Sequence, residues 1–211
     1  MSLKKVYFVR HGETEGNLAN YFQGPEDPLT EFGHKGAEAV AGRFAHLQVD
    51  ELIVSPFKRA QQTAKYIATI VNKPIITFDA FHECMHPLAV RDKEFDGEEG
   101  KAHLDAYEKN FCDPQWKPEG AENFHDVKER MDLCITLIQE SIHENIVVVT
   151  HGLFLRRFAA YLLLGQSANA ESNWIVSSHF KTMSNVGITE FIIENENWKL
   201  RTWNDCAHFA E

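Results

Sequence analysis

Two runs of the chain each deliver an imidazole straight after branched and aromatic residues. Val6-Tyr7-Phe8-Val9 leads into Arg10-His11-Gly12, and Ile146-Val147-Val148-Val149 into Thr150-His151-Gly152. A third run, Leu52-Ile53-Val54, stops at Ser55-Pro56-Phe57-Lys58-Arg59. If these runs are parallel strands of one sheet, two imidazoles and two guanidiniums collect where open α/β sheets bind ligands. Such a cluster suits a phosphoryl group: the planar fork of arginine takes phosphate oxygens in pairs and keeps its charge. Each group also has a plainer reading, the histidines as loop imidazoles satisfied by backbone and Arg59 as a solvated surface arginine, because short motifs recur by chance. Whether the chain brings them together decides between the two.

The elements that would do so are legible. Residues 6–9 are apolar at every position, as in a central strand buried on both faces. Gly12 permits a sharp turn, and Glu13, Thr14 and Glu15 open a helix that runs on through Ala19. Residues 21–30 hold Gly24, Pro25, Asp27 and Pro28, the composition of a loop, and Thr30 is the N-cap of a helix with Phe32, Ala37, Val40, Ala41 and Phe44 at helical spacing. Residues 51–54 predict a short buried strand, 57–71 a helix and 74–78 a third strand. Residues 81–123 are the least regular part, with a short helix expected at 103–111 and acidic residues at Glu94, Asp96, Glu98 and Glu99. An amphipathic helix at 123–143, a strongly β-favouring run at 146–149, a helix at 153–164 and two paired strands at 187–193 and 198–203 complete the chain. The pattern is α/β: a three-layer α/β/α sandwich with a mostly parallel central sheet and an antiparallel edge strand, one domain over 1–211 with a small cap insertion at about 82–122.

Composition bounds the partners. The 211 residues are 44% hydrophobic and 25% charged, an ordinary globular balance, and the formal net charge is -10. Neither nucleic acid nor an acidic membrane is drawn to such a surface, so a phosphorylated substrate needs its own local cationic pocket. Cys84, Cys112, Cys134 and Cys206 show no close pairing, which suits reduced thiols and a cytoplasmic location. Met1 to Leu3 could be an added leader. The most apolar long stretch, 146–164, carries His151, Arg156 and Arg157, so no membrane span is expected. Oligomeric state is not legible.

The chain resembles the histidine phosphatase superfamily, also called phosphoglycerate mutase-like, along nearly its whole length. The resemblance lies in Val9-Arg10-His11-Gly12-Glu13, in Pro28-Leu29-Thr30-Glu31-Phe32-Gly33, in the segment from Ser55 through Lys58 and Arg59 to Ala64, and in Val149-Thr150-His151-Gly152. It implies a phosphomonoester hydrolase without cofactor or metal that acts on a small phosphorylated metabolite. His11 would be the nucleophile, neutral, with one ring nitrogen held as N–H by a backbone carbonyl. Arg10, Arg59 and His151 would bind the phosphoryl oxygens. Asn17, Gln23, Gly24 and Gly152 would line the phosphate site. Glu83 would be general acid and then base, with Glu94 as fallback, since the chain departs from its relatives after Cys84.

Two further features bear on the reaction. His82-Glu83-Cys84-Met85-His86 spells the H-E-x-x-H of zinc proteases, with His103 as a candidate third ligand, but that reading needs a helix and Pro87 follows at once. The segment after Glu83 lacks the long Arg- and Tyr-rich insertion of mutases, which favours hydrolysis over phosphoglycerate mutase activity. A non-catalytic phospholigand-binding scaffold would be missing a nucleophile or clamp, and none is missing here. Phe95, Tyr107, Phe111 and Trp116 either line a specificity pocket or pack the cap. The acidic cluster would disfavour a second phosphate if it faced the site.

Overall fold

A computed structural model describes residues 3–180 and 183–209, so Met1 and Ser2 of the expected leader lie outside the described residues. Six strands, β1 (Lys4–Arg10), β2 (Glu51–Val54), β3 (Ile75–Thr77), β4 (Asn145–Thr150), β5 (Ile188–Glu194) and β6 (Asn197–Asp205), form one sheet in the order β3-β2-β4-β1-β5-β6. The helices are α1 (Glu15–Leu18), α2 (Glu31–Gly42), α3 (Lys58–Val71), α4 (Glu98–Asn110), α5 (Phe124–Glu140), α6 (Gly152–Leu164) and α7 (Ala170–His179). Strands β1 to β4 run parallel, β5 is antiparallel to β1, and β6 is antiparallel to β5.

Strand side chains alternate between faces, so a run that is apolar throughout must be covered on both sides. Val6, Phe8, Ile53, Ile146 and Val148 meet Val127, Met131, Phe154 and Phe158 of α5 and α6. Tyr7, Val9, Leu52, Val54, Val147 and Val149 turn the other way, to Val40, Ala41, Ala64 and Ile67 of α2 and α3. The result is the expected α/β/α sandwich. The β5–β6 hairpin closes through Asn195 and Glu196, both at positive φ, the conformation of a tight hairpin turn.

Side-chain caps set several helix starts. The Thr14 hydroxyl accepts from the Asn17 N–H, Thr30 from Gly33, and Asn123 from His125 and Asp126. Gly12 is required by packing: a Cβ there would stand 2.5 Å from the Gly33 carbonyl oxygen, where the turn after β1 crosses the start of α2.

The structure differs from the sequence pattern in three places. Helix α4 begins at Glu98, not near His103, because extended Gly97 and acidic Glu98 and Glu99 make a favourable first turn. Helix α7 has no counterpart in the pattern, since its apolar Trp174, Ile175 and Val176 are consecutive, not spaced along one face. Phe32, counted with the core face of α2, is 60% exposed.

Register aligns the strand ends. Arg10 lies opposite Thr150, and Val54 opposite Val149. His11 N–H donates to the Thr150 carbonyl at 2.9 Å and Ser55 N–H to that of Val149 at 3.0 Å. His11, Ser55 and His151 therefore leave the sheet at one level.

Candidate active site

The three strand ends open on a cavity of about 640 Å³ lined by Arg10, His11, Asn17, Gln23, Arg59, Glu83 and Gly152, among others. His11 is only 2% exposed, so it is offered to the cavity and to nothing else. Its Nδ1 lies 2.7 Å from the Gly12 carbonyl, which can only accept, so Nδ1 carries the proton. The lone pair is left on Nε2, toward which Arg59 Nε donates at 3.2 Å. Burial, with Arg59 and then Arg10 beside it, pushes the His11 pKa well below the usual imidazole value. The ring is a neutral base with its unprotonated nitrogen directed at a guanidinium.

His151 is fully buried and does not itself line the cavity, with its ring centroid 5.1 Å from that of His11. Its Nε2 is 2.7 Å from the Ser55 hydroxyl. The hydroxyl accepts from the Phe57 N–H at 3.3 Å, and among the described residues His151 Nε2 is the one acceptor within reach of its proton, so Ser55 donates and the His151 proton is assigned to Nδ1. Nδ1 is buried and has no partner among the described residues. Burial, then Arg59 and His11, holds the His151 pKa well below its ordinary value. His151 is thus a neutral donor next to a neutral base.

The guanidiniums are held from behind. Arg59, 2% exposed, donates Nη1 to the Gly24 carbonyl at 2.7 Å and covers the Phe57 ring at 5.1 Å. Burial lowers its pKa to about 10, which leaves it charged at neutral pH. Arg10 donates Nη1 to the Met183 carbonyl and keeps a buried Nε without a partner among the described residues. Gly152 makes room for it, since a Cβ there would sit 3.2 Å from Arg10 Nε.

Glu83 reaches the cavity through the loop after β3. Thr150 Oγ1 donates to the Phe81 carbonyl at 2.7 Å, and Arg130 Nη1 donates to the carbonyls of Ala80 and His82 at 2.7 and 3.0 Å. The Glu83 carboxylate accepts from the N–H groups of Cys84 (2.9 Å), Phe154 (2.6 Å) and Leu153 (3.1 Å), the last two in the first turn of α6. Glu94 is exposed, is bridged to Tyr21 and is not on the cavity wall.

Asn17 and Gln23 line the cavity, with their side-chain oxygens accepting from Asn185 Nδ2 (2.9 Å) and Thr14 Oγ1 (2.7 Å). Their amide nitrogens remain for a ligand. Gly24 does not line the cavity: its carbonyl takes Arg59, and its N–H donates to Asp27 at 2.6 Å. It supports the clamp from behind. The H-E-x-x-H stretch is not helical. His82 Nδ1 bonds the Glu83 carbonyl at 2.7 Å and His86 Nδ1 lies 3.0 Å from His103 Nε2, while Glu83 turns to α6. Among the described residues no group of three or more His, Cys, Asp or Glu side chains is disposed to hold a metal.

All four cysteines are free, and burial pushes the Cys84 thiol pKa far up, so it is inert. Phe95 and Tyr107 line the cavity, whereas Phe111 is wholly in the core with Trp116 packed on that core. The residues of the acidic cluster are not on the cavity wall. Sequence reasoning missed Ser55 as the partner of His151, and Asn185, which donates to the His11 carbonyl at 3.1 Å. It also missed a wall made by Arg156, Arg157, Trp174 and Ser177. The Arg156-Arg157 pair inside an otherwise apolar helix was its one sequence signal.

Comparison with known proteins agrees along the chain. The family model described as "Histidine phosphatase superfamily (branch 1)" matches residues 6–206. The "Metal-independent phosphoserine phosphatase" of Arabidopsis thaliana is 28% identical over 211 residues, covering 98% of this chain and 83% of its own length. The "Probable phosphoglycerate mutase GpmB" of Yersinia pestis is 31% identical over 212 residues, covering 97% and 94%. The crystal structure of a phosphoserine phosphatase mutant from Entamoeba histolytica in complex with phosphoserine shares the fold, with a TM-score of 0.74 at 24% identity over 98% of this chain and 99% of that one.

Proposed function

Because the chain belongs to the histidine phosphatase superfamily, we propose that it hydrolyses small phosphomonoesters through a phosphohistidine on His11. The observation that carries this reading is the His11 ring, with Nδ1–H fixed on the Gly12 carbonyl and Nε2 unprotonated in a cavity shared with Arg10, Arg59 and Glu83.

In the first step Nε2 attacks phosphorus in line, the P–O bond to the alcohol breaks, and the leaving oxygen takes a proton from Glu83. Arg10, Arg59 and the Nδ1–H of His151 receive the charge that spreads over the other phosphoryl oxygens, with the amides of Asn17 and Gln23 at the rim. Three backbone N–H groups receive the carboxylate that Glu83 becomes. In the second step that carboxylate takes a proton from water, the water oxygen attacks phosphorus, and inorganic phosphate leaves with His11 neutral again. The chemistry needs no metal. Residues 82–122 act as a cap over the cavity, and four free thiols support a cytoplasmic location.

The names of the relatives include a phosphoserine phosphatase and a phosphoglycerate mutase. Hydrolysis is favoured because, from residues 82–122, Arg91 is the one cation that reaches the wall. The test is to trap a phosphoenzyme from a labelled ester and to measure phosphate release and isomer formation together. Label on the wild-type protein, none on His11→Ala, and phosphate as the product are expected. Label retained by His11→Ala would sink the nucleophile assignment, and an isomer in place of phosphate would assign the mutase reaction.

A further inference from the structure

The cavity has a second set of polar walls, from α4, α6 and α7, that the transfer chemistry does not use. Arg157 is 3% exposed and lines the cavity. Its guanidinium is sandwiched, with Cζ 4.3 Å from the ring of Phe111 and 4.3 Å from that of Trp174. Nη1 donates to Ser177 Oγ at 2.8 Å, but Nε is buried with no partner among the described residues. No carboxylate lies within ion-pair distance among the described residues. Tyr107, 4% exposed on the same cavity, also keeps a buried hydroxyl without a partner among the described residues.

Stacking on two rings accounts for where Arg157 sits, but not for two orphaned donors on a cavity wall. An unpaired buried cation is costly, and a neighbour makes it more so: Arg156 follows the same helix, its own Nε and Nη2 given to the Ser177 carbonyl at 3.2 and 3.1 Å. What this wall lacks is an anion with lone pairs to accept. The acidic residues of the cap cannot supply it, since Glu94, Asp96, Glu98 and Glu99 are exposed and off the wall.

We infer that Arg157 and the Tyr107 hydroxyl form a second anion subsite that takes a carboxylate on the alcohol portion of the substrate, while Arg10, His11 and Arg59 take the phosphoryl group. The preferred substrates are therefore phosphomonoesters whose leaving alcohol carries a carboxylate. This rests on the phosphatase reading of the same cavity. The guanidinium fork is matched in geometry to a carboxylate, and its stacked faces hold it rigid for that purpose.

The experiment measures binding by calorimetry in His11→Ala protein, where no covalent transfer occurs. The probes are 3-phosphoglycerate, glycerol 3-phosphate, in which a hydroxymethyl group replaces the carboxylate, and propane-1,3-diol bisphosphate. The carboxylate ester should bind roughly 10- to 100-fold tighter than glycerol 3-phosphate, as for a hydrogen-bonded charged group. Adding Arg157→Met should bring that ratio close to one, and adding Tyr107→Phe, which removes a single oxygen, should lower it several-fold even if the arginine variant does not fold. Equal affinities, or a ratio that neither substitution changes, would overturn the subsite. A larger arginine-dependent gain for the bisphosphate would overturn the carboxylate in favour of a second phosphoryl group. Phosphate release by the wild-type protein is read in parallel. Its absence for all three esters would sink hydrolysis while the binding ratios still decided the subsite.

Discussion

Ser55→Ala tests the tautomer assignment on which the phosphoryl clamp depends. The hydroxyl and the His151 ring are both wholly buried and 2.7 Å apart. Deleting the hydroxyl leaves Nε2 unsatisfied in a dry site, which should reduce folding stability by about 1–3 kcal/mol. The larger consequence is chemical. Without Ser55 the ring proton is free to move to Nε2, and in the proposed mechanism Nδ1 would then meet the phosphoryl oxygens with a lone pair in place of a proton. Losing a hydrogen bond to a charged oxygen is worth about 1.5–3 kcal/mol, and at about 1.4 kcal/mol per tenfold in rate the variant should lose roughly 10- to 100-fold in kcat/KM. The assay is hydrolysis of p-nitrophenyl phosphate, whose good leaving group needs little help from Glu83 and so reports on the clamp. Ser55→Thr keeps the hydroxyl and should recover most of the activity. Nitrogen-15 spectra of the wild-type protein should show His151 protonated at Nδ1, and those of the alanine variant a shift toward Nε2. A folded Ser55→Ala protein within twofold of wild-type kcat/KM, or a wild-type ring protonated at Nε2, would refute the reasoning.

Acid should destabilise the protein earlier than carboxylate titration alone predicts. His11 and His151 are held neutral by burial and neighbouring cations, and burial with His103 lowers the His86 pKa to about 3. Above pH 6.5 folded and unfolded states are alike at these sites; below it the unfolded chain takes up protons that the folded protein refuses, so stability falls until the folded pKa values are reached. Three such groups amount to about 4 kcal/mol between pH 7.5 and 5.5, and His11→Ala should recover about a third of that in urea melts. A flat stability profile over that range would contradict it. Glu122→Ala removes the two carboxylate oxygens that accept from Arg130 at 2.7 and 2.8 Å, in a pair only 10% and 13% exposed. Stranding that cation should cost about 3–5 kcal/mol in urea unfolding. It should also lower kcat, because Arg130 fixes the carbonyls of Ala80 and His82 just before Glu83. A loss below about 1 kcal/mol, or full activity, would show that Arg130 does not position that loop.

Much of the site was legible because its parts sit where local chemistry marks them. Uninterrupted apolar runs ending on His11 and His151 mark central strands, since only a strand covered on both faces tolerates apolar residues at every position. The cap at Thr30 and the turn at Gly12 follow from side-chain and backbone preferences that act within a few residues. The rest depends on long-range pairing. Only the register of β1, β2 and β4 decided that His11, Ser55 and His151 leave the sheet at one level, and only the hydrogen-bond partners so brought together decided which nitrogen of each imidazole bears the proton. Gly24 was expected to line the phosphate site, yet its backbone is committed to Arg59 and Asp27, which no spacing reveals. Arg157 was visible in the chain merely as a charge in an apolar helix. Its standing as an unpaired cation between two rings depends on α4 and α7 folding across α6, and α7 carries no periodic pattern of its own. Residue types and local order thus determined which chemistry was available; the packing of distant segments decided which atoms were left free to perform it.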